Sequence, residues 1–334
     1  MPSARRAADA PIPGTATDAG MRLVTFETAT GARHIGGLRA GNAEIVDFTA
    51  SGGAEFADML TLIDGGEAAL DRATDLLHRA RDVIAVDAVR LLAPVPEPRA
   101  ILDCLCFEEH LMNAGRYAHV VTNAAPLMNK ANGAPPVFRE LPVYYKGNRY
   151  SVVGADADIV CPRYSKFLDD ELEFGVFLGA RGKDWSVAEA ENAIFGYAIF
   201  NDVSARDTQM SEMRGMLGPS KGKDFDTGNV IGPWLVTKDE VPIRDGLRMR
   251  AWINGDLVTD GNSKAMMHSF AGIIAYASQD ETRRPGEFIG SGTVGGGCSL
   301  EHGRFLQHGD ILELEVEGLG RQRNRIVFQD AARQ

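Results

Sequence analysis

Apolar and polar positions change rhythm along the chain. Met21-Arg-Leu-Val-Thr-Phe26 reads as a strand, and Gly36 to Phe48 reads as a hairpin with Ala40-Gly-Asn42 at its turn. Ala54 to Ile63 and Gly66 to Ala80 carry apolar residues at helical spacing, as in Leu70, Ala73, Leu76 and Leu77. The run Leu91-Leu-Ala-Pro-Val-Pro-Glu-Pro98 then predicts a stiff extended connector. Beyond it short strands dominate: Ala100–Cys104, Glu171–Leu178, Ile194–Phe200, Trp234–Thr237, Leu247–Ile253, Glu287–Ser291 and Ile311–Val316. Glycine and proline punctuate them closely. The expectation is a β-rich α+β protein: a disordered tail over 1–20, a small N-terminal α/β domain over 21–95, and a larger domain over 96–332, a sheet roll or sandwich with peripheral helices.

Composition narrows the function classes. The 334 residues are 44% hydrophobic and 24% charged, the balance of an ordinary globular protein. No apolar run approaches the roughly 20 residues that span a bilayer, so no membrane partner is expected. The net charge of −11 argues against nucleic acid, which needs a basic patch. Met1 to Gly20 lacks the apolar core of about 7–15 residues found in secretory signals. Four scattered cysteines, Cys104, Cys106, Cys161 and Cys298, read as reduced structural thiols of a cytoplasmic protein.

The candidate chemistry lies in carboxylates. In Leu168-Asp-Asp-Glu-Leu-Glu-Phe-Gly-Val-Phe-Leu178, strand alternation sends Glu171, Glu173 and Gly175 to one side and Leu172, Phe174, Val176 and Leu178 to the core. Two same-side carboxylates about 7 Å apart at Cα repel unless a cation lies between them, and hard divalent ions prefer oxygen ligands. The bland alternative is a solvated strand edge. A buried strand, Ile194-Phe-Gly-Tyr-Ala-Ile-Phe200, ends in Asn201-Asp202 before a helix expected to begin at Ser204. Another strand ends at Asp103 and leads to a helix carrying His110.

Taken in order, Asp103…His110, Glu171-Leu-Glu173, Asn201-Asp-Val-Ser-Ala-Arg-Asp207, Gly222-Lys-Asp-Phe-Asp-Thr227…Gly232-Pro-Trp234 and Gly290-Ser-Gly-Thr293 resemble the fumarylacetoacetate hydrolase family, from about Pro98 to Phe328. The resemblance implies a mixed β-roll catalytic domain, usually in a homodimer, behind a variable N-terminal domain. It implies a Mg²⁺ or Ca²⁺ site (Mn²⁺ being a further option) made from Asp103, Glu171, Glu173 and Asp202. It matches His110 to the general base and Glu301 to the acid that orients it. It matches Lys223 and Gln209 to groups that bind substrate oxygens, Tyr145 to a substrate-contacting tyrosine, and Thr293 to the substrate pocket. Two positions depart from the fumarylacetoacetases proper: Leu105 stands where they have tyrosine, and His119 lies near the place of an arginine.

The activity so implied is hydrolytic cleavage of a C–C bond in a small 1,3-diketo acid, of fumarylacetoacetate or acylpyruvate type, in aromatic-compound catabolism. A metal enolate also serves decarboxylases, isomerases and hydratases of 2-keto acids, and fold alone does not choose among them. Without the resemblance, Lys223 would read as a surface lysine, Gln209 as an ordinary helix residue and Tyr145 as core. Gly290-Ser-Gly-Thr-Val-Gly295 fits a dinucleotide fingerprint, but Gly296-Gly-Cys-Ser-Leu-Glu-His-Gly303 cannot continue as the required helix. Gly218-Pro-Ser-Lys-Gly-Lys223 misses the phosphate-loop spacing. The segment from Glu108 to about Gly133 is expected to be a mobile lid, too poor in large apolar residues for deep burial.

Overall fold

The computed structural model describes residues 20–122, 133–241 and 243–329. The tail over 1–19 and the second half of the expected lid, 123–132, lie outside the described residues. Strands dominate, and helices sit at the periphery.

A 12-stranded sheet runs through the molecule. Its centre is Leu172–Leu178, antiparallel to Ile194–Asp202 on one side and to Phe288–Gly290 on the other. Ile101–Cys104 pairs parallel to Phe288–Gly290, with Gly290 beside Asp103. Asn229–Thr237 follows Ile194–Asp202 on the other flank. The N-terminal strand Arg22–Glu27 joins the same sheet, Leu23 opposite Leu235. The connector is tied to that strand as well, through Arg90–Leu91 and through Thr25 Oγ1 donating to the Pro94 carbonyl at 2.6 Å.

Every residue of Leu172–Leu178 is buried, so this strand is covered on both faces. Leu172, Phe174, Val176 and Leu178 pack into one core with Phe270, Ile273 and Ile274. Phe177 faces another, with Phe200 and Phe288 from neighbouring strands. Burying a phenylalanine of this kind contributes about 1.5–3 kcal/mol, so the strand that carries Glu173 is strongly held.

A five-stranded sheet backs the main one, in the order Asp256–Asn262, Arg248–Ile253, Ile311–Val316, Gly320–Phe328 and Asp158–Cys161. The expected strand starting at Trp234 begins five residues earlier, at Asn229. The helix expected from Ser204 begins at Arg206. Ser204–Ala205 instead pairs with Leu168–Asp169, and that ladder keeps the backbone extended for two more residues. The first half of the expected lid is the helix Glu108–Thr122, and it is better anchored than its composition suggests, with His110, Leu111 and Ala118 buried. Among the described residues no helix is long and apolar enough to cross a membrane.

Candidate active site

Strand ends build the site. Asp103 lies next to the end of Ile101–Cys104, Asp202 closes Ile194–Asp202, and Glu173 is the second residue of Leu172–Leu178. Glu171 precedes that strand, its amide held by Asn201 Oδ1 at 2.9 Å. All four carboxylates are buried, which removes the solvated strand edge as an explanation of the Glu171/Glu173 pair.

The two glutamates meet opposite electrostatics. Glu171 has one oxygen on Arg206 Nη2 at 2.7 Å and the other on Lys223 Nζ at 2.5 Å. Burial raises its pKa, but Arg206 and Lys223 outweigh that and hold it well below the usual carboxylate range. Glu173 accepts from the Gly292 amide at 2.9 Å and from Thr293 Oγ1 at 3.1 Å, and no cation touches it. Burial and the neighbouring Asp103 and Asp202 push it well above that range. Asp103 is raised likewise, by burial and then by Asp202.

Asp103, Glu173 and Asp202 bring carboxylate oxygens within 4.8 Å of one another. Oδ1 of Asp103 and Oδ1 of Asp202 are buried with no hydrogen-bond partner, a costly state for a carboxylate oxygen. Gly290 borders this cluster because a Cβ there would run into Asp103 Oδ1. Gly292 follows in the left-handed region, φ 78°, where the turn aims its amide at Glu173. An all-oxygen donor set with orphaned, charge-repelling carboxylates fits a hard divalent cation. Glu171 is the member of the expected four that stands apart, its oxygens already taken by two cationic side chains.

His110 is carried by Glu108–Thr122 and Glu301 by the turn Ser299–His302, 191 residues away in sequence. Nδ1 of His110 donates to Oε1 of Glu301 at 2.7 Å. The second Glu301 oxygen accepts from Asn113 Nδ2 at 3.0 Å and from the Gly296 amide at 2.7 Å. Burial raises the Glu301 pKa, but His110 and these donors bring it below the ordinary value. Nε2 of His110 faces the carboxylates, 3.7 Å from Glu171 Oε1.

Lys223 is not at the surface; its ammonium is buried against Glu171, Asp202 Oδ2 at 2.5 Å and the Asp202 carbonyl at 3.2 Å. Tyr145 is half-buried and donates to Asp202 Oδ2 at 2.6 Å. Gln209 accepts from Arg206 at 2.9 Å. Thr293 supports Glu173. Leu105 and His119, the two departures, are half-buried and exposed respectively. Every residue singled out from the sequence for a role thus falls at this one centre.

Arg206 was given no role from sequence. It reaches Asp169 at 2.6 Å as well as Glu171 and Gln209, and a basic residue opening a helix carries no signal that it will be fully buried. Asp169 and Asp170 were missed because acidic side chains in this stretch give no sign that they will be buried: they accept from the Leu300 amide at 3.1 Å and Ser299 Oγ at 2.7 Å respectively, bracing the turn that holds Glu301.

The model of the fumarylacetoacetate (FAA) hydrolase C-terminal domain matches residues 101–327, most of this chain. The chain belongs to the fumarylacetoacetate hydrolase family. It is 30% identical over 311 residues to a mitochondrial oxaloacetate tautomerase of Xenopus laevis, covering 92% of this chain and 90% of that protein. The corresponding tautomerase of Rattus norvegicus is 31% identical, with 92% of each chain covered. A fumarylacetoacetate hydrolase structure from Exiguobacterium antarcticum superposes with a TM-score of 0.71 at 26% identity, over 92% of this chain and 100% of that one. A maleylpyruvate hydrolase of Sphingobium sp. SYK-6, solved with manganese(II) and pyruvate, shares the fold at a TM-score of 0.70 and 23% identity, over 92% of this chain and 99% of that one. Relatives in this family therefore include both hydrolases and tautomerases.

Proposed function

We propose that this chain is a divalent-metal-dependent hydrolase that cleaves a C–C bond in a small 1,3-diketo acid. The observation that carries the reading is the His110–Glu301 pair, buried, hydrogen-bonded at 2.7 Å and turned toward the carboxylate cluster. Asp103, Glu173 and Asp202 would hold the ion, with Glu171, engaged by Arg206 and Lys223, beside them; the all-oxygen set favours Mg²⁺ or Ca²⁺, with Mn²⁺ as a further occupant. When bound, the ion supplies Lewis-acid polarisation of the substrate's chelating oxygens.

The chain's own groups supply the rest. Glu301 fixes the His110 tautomer with Nδ1 protonated, so Nε2 is the free base. Nε2 takes a proton from water as the water oxygen bonds to the distal carbonyl carbon. The C–C bond then breaks, its electron pair passing to the enolate of the departing keto acid, and the imidazolium returns the proton to that carbon. Lys223 lies where negative charge accumulates and stabilises it, the kind of fixed electrostatic contribution that is usually the largest in such steps. Gln209, Tyr145 and Thr293 orient the substrate's oxygens.

A second reading, keto–enol tautomerisation of a 2-oxo acid, is supported by the two tautomerases that match over nearly the whole chain. It uses His110 as a proton shuttle and needs no water. Incubation with acylpyruvates, fumarylacetoacetate and oxaloacetate, each with Mg²⁺ in heavy-oxygen water, separates the two. Hydrolysis places one heavy oxygen in a carboxylate product. Loss of enol absorbance with an unlabelled, uncleaved product contradicts the hydrolase reading.

A further inference from the structure

The segment entering the Ser299–His302 turn puts a thiol against the His110–Glu301 pair. Cys298 is buried, with Sγ 3.5 Å from Glu301 Oε1 and 3.9 Å from His110 Nδ1. Asn113 and the Gly296 amide occupy the other Glu301 oxygen, so Oε1 is the one left to the histidine and the thiol. Sulfur, nitrogen and oxygen donors thus converge within 4.8 Å, and the hydrolytic scheme has no use for the sulfur.

We propose that Cys298, His110 and Glu301 form a second metal site, for a borderline-soft divalent cation of the zinc class. Its donors differ in kind from the oxygen cluster of Asp103, Glu173 and Asp202. Mixed thiolate, imidazole and carboxylate sets suit zinc, whereas thiolate is a poor ligand for Mg²⁺ or Ca²⁺. With bonds of about 2.3 Å to sulfur and about 2.0–2.2 Å to nitrogen and oxygen, a tetrahedral ion holds its ligand atoms roughly 3.3–3.6 Å apart. The sulfur–oxygen edge already has that length, at 3.5 Å. The sulfur–nitrogen edge closes slightly from 3.9 Å, and the nitrogen–oxygen edge opens from 2.7 Å as the ion replaces the bridging proton.

Coordination moves two protons. The thiol proton leaves to solvent, and the imidazole proton shifts from Nδ1 to Nε2. An Nε2 that carries hydrogen cannot accept a proton, so zinc at this site silences the base. That inhibitory consequence rests on the role proposed for His110; the binding itself does not.

The test therefore measures binding without substrate. Full-length protein in saturating Mg²⁺, which occupies the carboxylates, is titrated with Zn²⁺ against a chromophoric chelator. Co²⁺ is used in parallel, because a thiolate ligand gives it a charge-transfer absorption. One zinc is expected per chain. Cys298→Ala and His110→Gln should each weaken it by roughly 100-fold, one ligand's share of a site of this strength, and Cys298→Ser should lack the cobalt–thiolate band. Zinc displaced in step with rising Mg²⁺, or a wild-type cobalt spectrum without the thiolate band, overturns the proposal. The wild-type spectrum decides even where a variant fails to fold.

Discussion

Nζ of Lys223 lies 2.5 Å from Oδ2 of Asp202, and both groups are shut away from solvent. The same ammonium reaches Glu171, so one buried cation holds two buried carboxylates together. Removing it leaves Glu171 with Arg206 as its cation but takes the only cation from Asp202 among the described residues. Lys223→Met is expected to destabilise the chelator-treated protein by about 3–5 kcal/mol, the scale for breaking a buried pair from one side. Urea unfolding checks this, and a midpoint equal to wild type would show that Asp202 does not depend on Lys223 for its charge.

Glu173 makes the complementary case. It sits against Asp103 and Asp202 with no cation, and burial keeps it well above the usual carboxylate range. Divalent metal should stabilise the wild type by about 2.7 kcal/mol at a hundred times its dissociation constant. Glu173→Gln should lose that gain while leaving metal-free stability unchanged or improved, since it removes a charge the site accommodates poorly. An undiminished metal-induced rise in Tm in Glu173→Gln would place the ion elsewhere.

Protons compete for the same oxygens. Asp202 is raised to about 6 by burial, with Lys223 pulling the other way, so metal affinity should fall as pH drops through about 6. Asp170 is raised to about 7, by burial and then by the charge of Asp169. A carboxyl raised on folding contributes stability that is fully present below its unfolded pKa, ordinarily about 3.9, and lost as pH rises through the folded value. Asp170 therefore favours the folded state at about pH 4 and ceases to by about pH 8. Asp170→Asn should flatten this part of the decline in Tm, measured in chelator. Parallel Tm–pH curves for variant and wild type would contradict the assignment.

Much of this site was legible because its residues sit at period-two positions or strand ends, where alternation and apolar continuity leave clear marks. Glu173 was exposed by the hydrophobic residues on either side of it, and Asp103 and Asp202 by the apolar strands they close. Arg206 was not legible: a guanidinium buried among Asp169, Glu171 and Gln209 exists only after folding brings the 168–171 stretch against the helix Arg206–Met213. The strand Gly320–Phe328 was missed because its inward positions include Gln322 and Asn324, both buried, so its sequence lacks the usual alternation. The helix Phe270–Ala277 was missed for the opposite reason. It is apolar on nearly all sides, with Ser269 Oγ accepting from the Gly272 amide as its cap, and so shows no amphipathic stripe.

In the proposed mechanism His110, oriented by Glu301, activates water. Turnover of an acylpyruvate by wild type, His110→Ala and Glu301→Gln, at saturating Mg²⁺, tests it most directly. His110→Ala should lower turnover by a factor on the order of 10² to 10⁴, the usual contribution of a general base. Glu301→Gln should give a smaller parallel loss, because the imidazole remains but is less firmly held. Both variants should keep the metal-induced rise in Tm, since neither residue belongs to the oxygen cluster. A His110→Ala protein that hydrolyses its best substrate at nearly the wild-type rate would contradict the account.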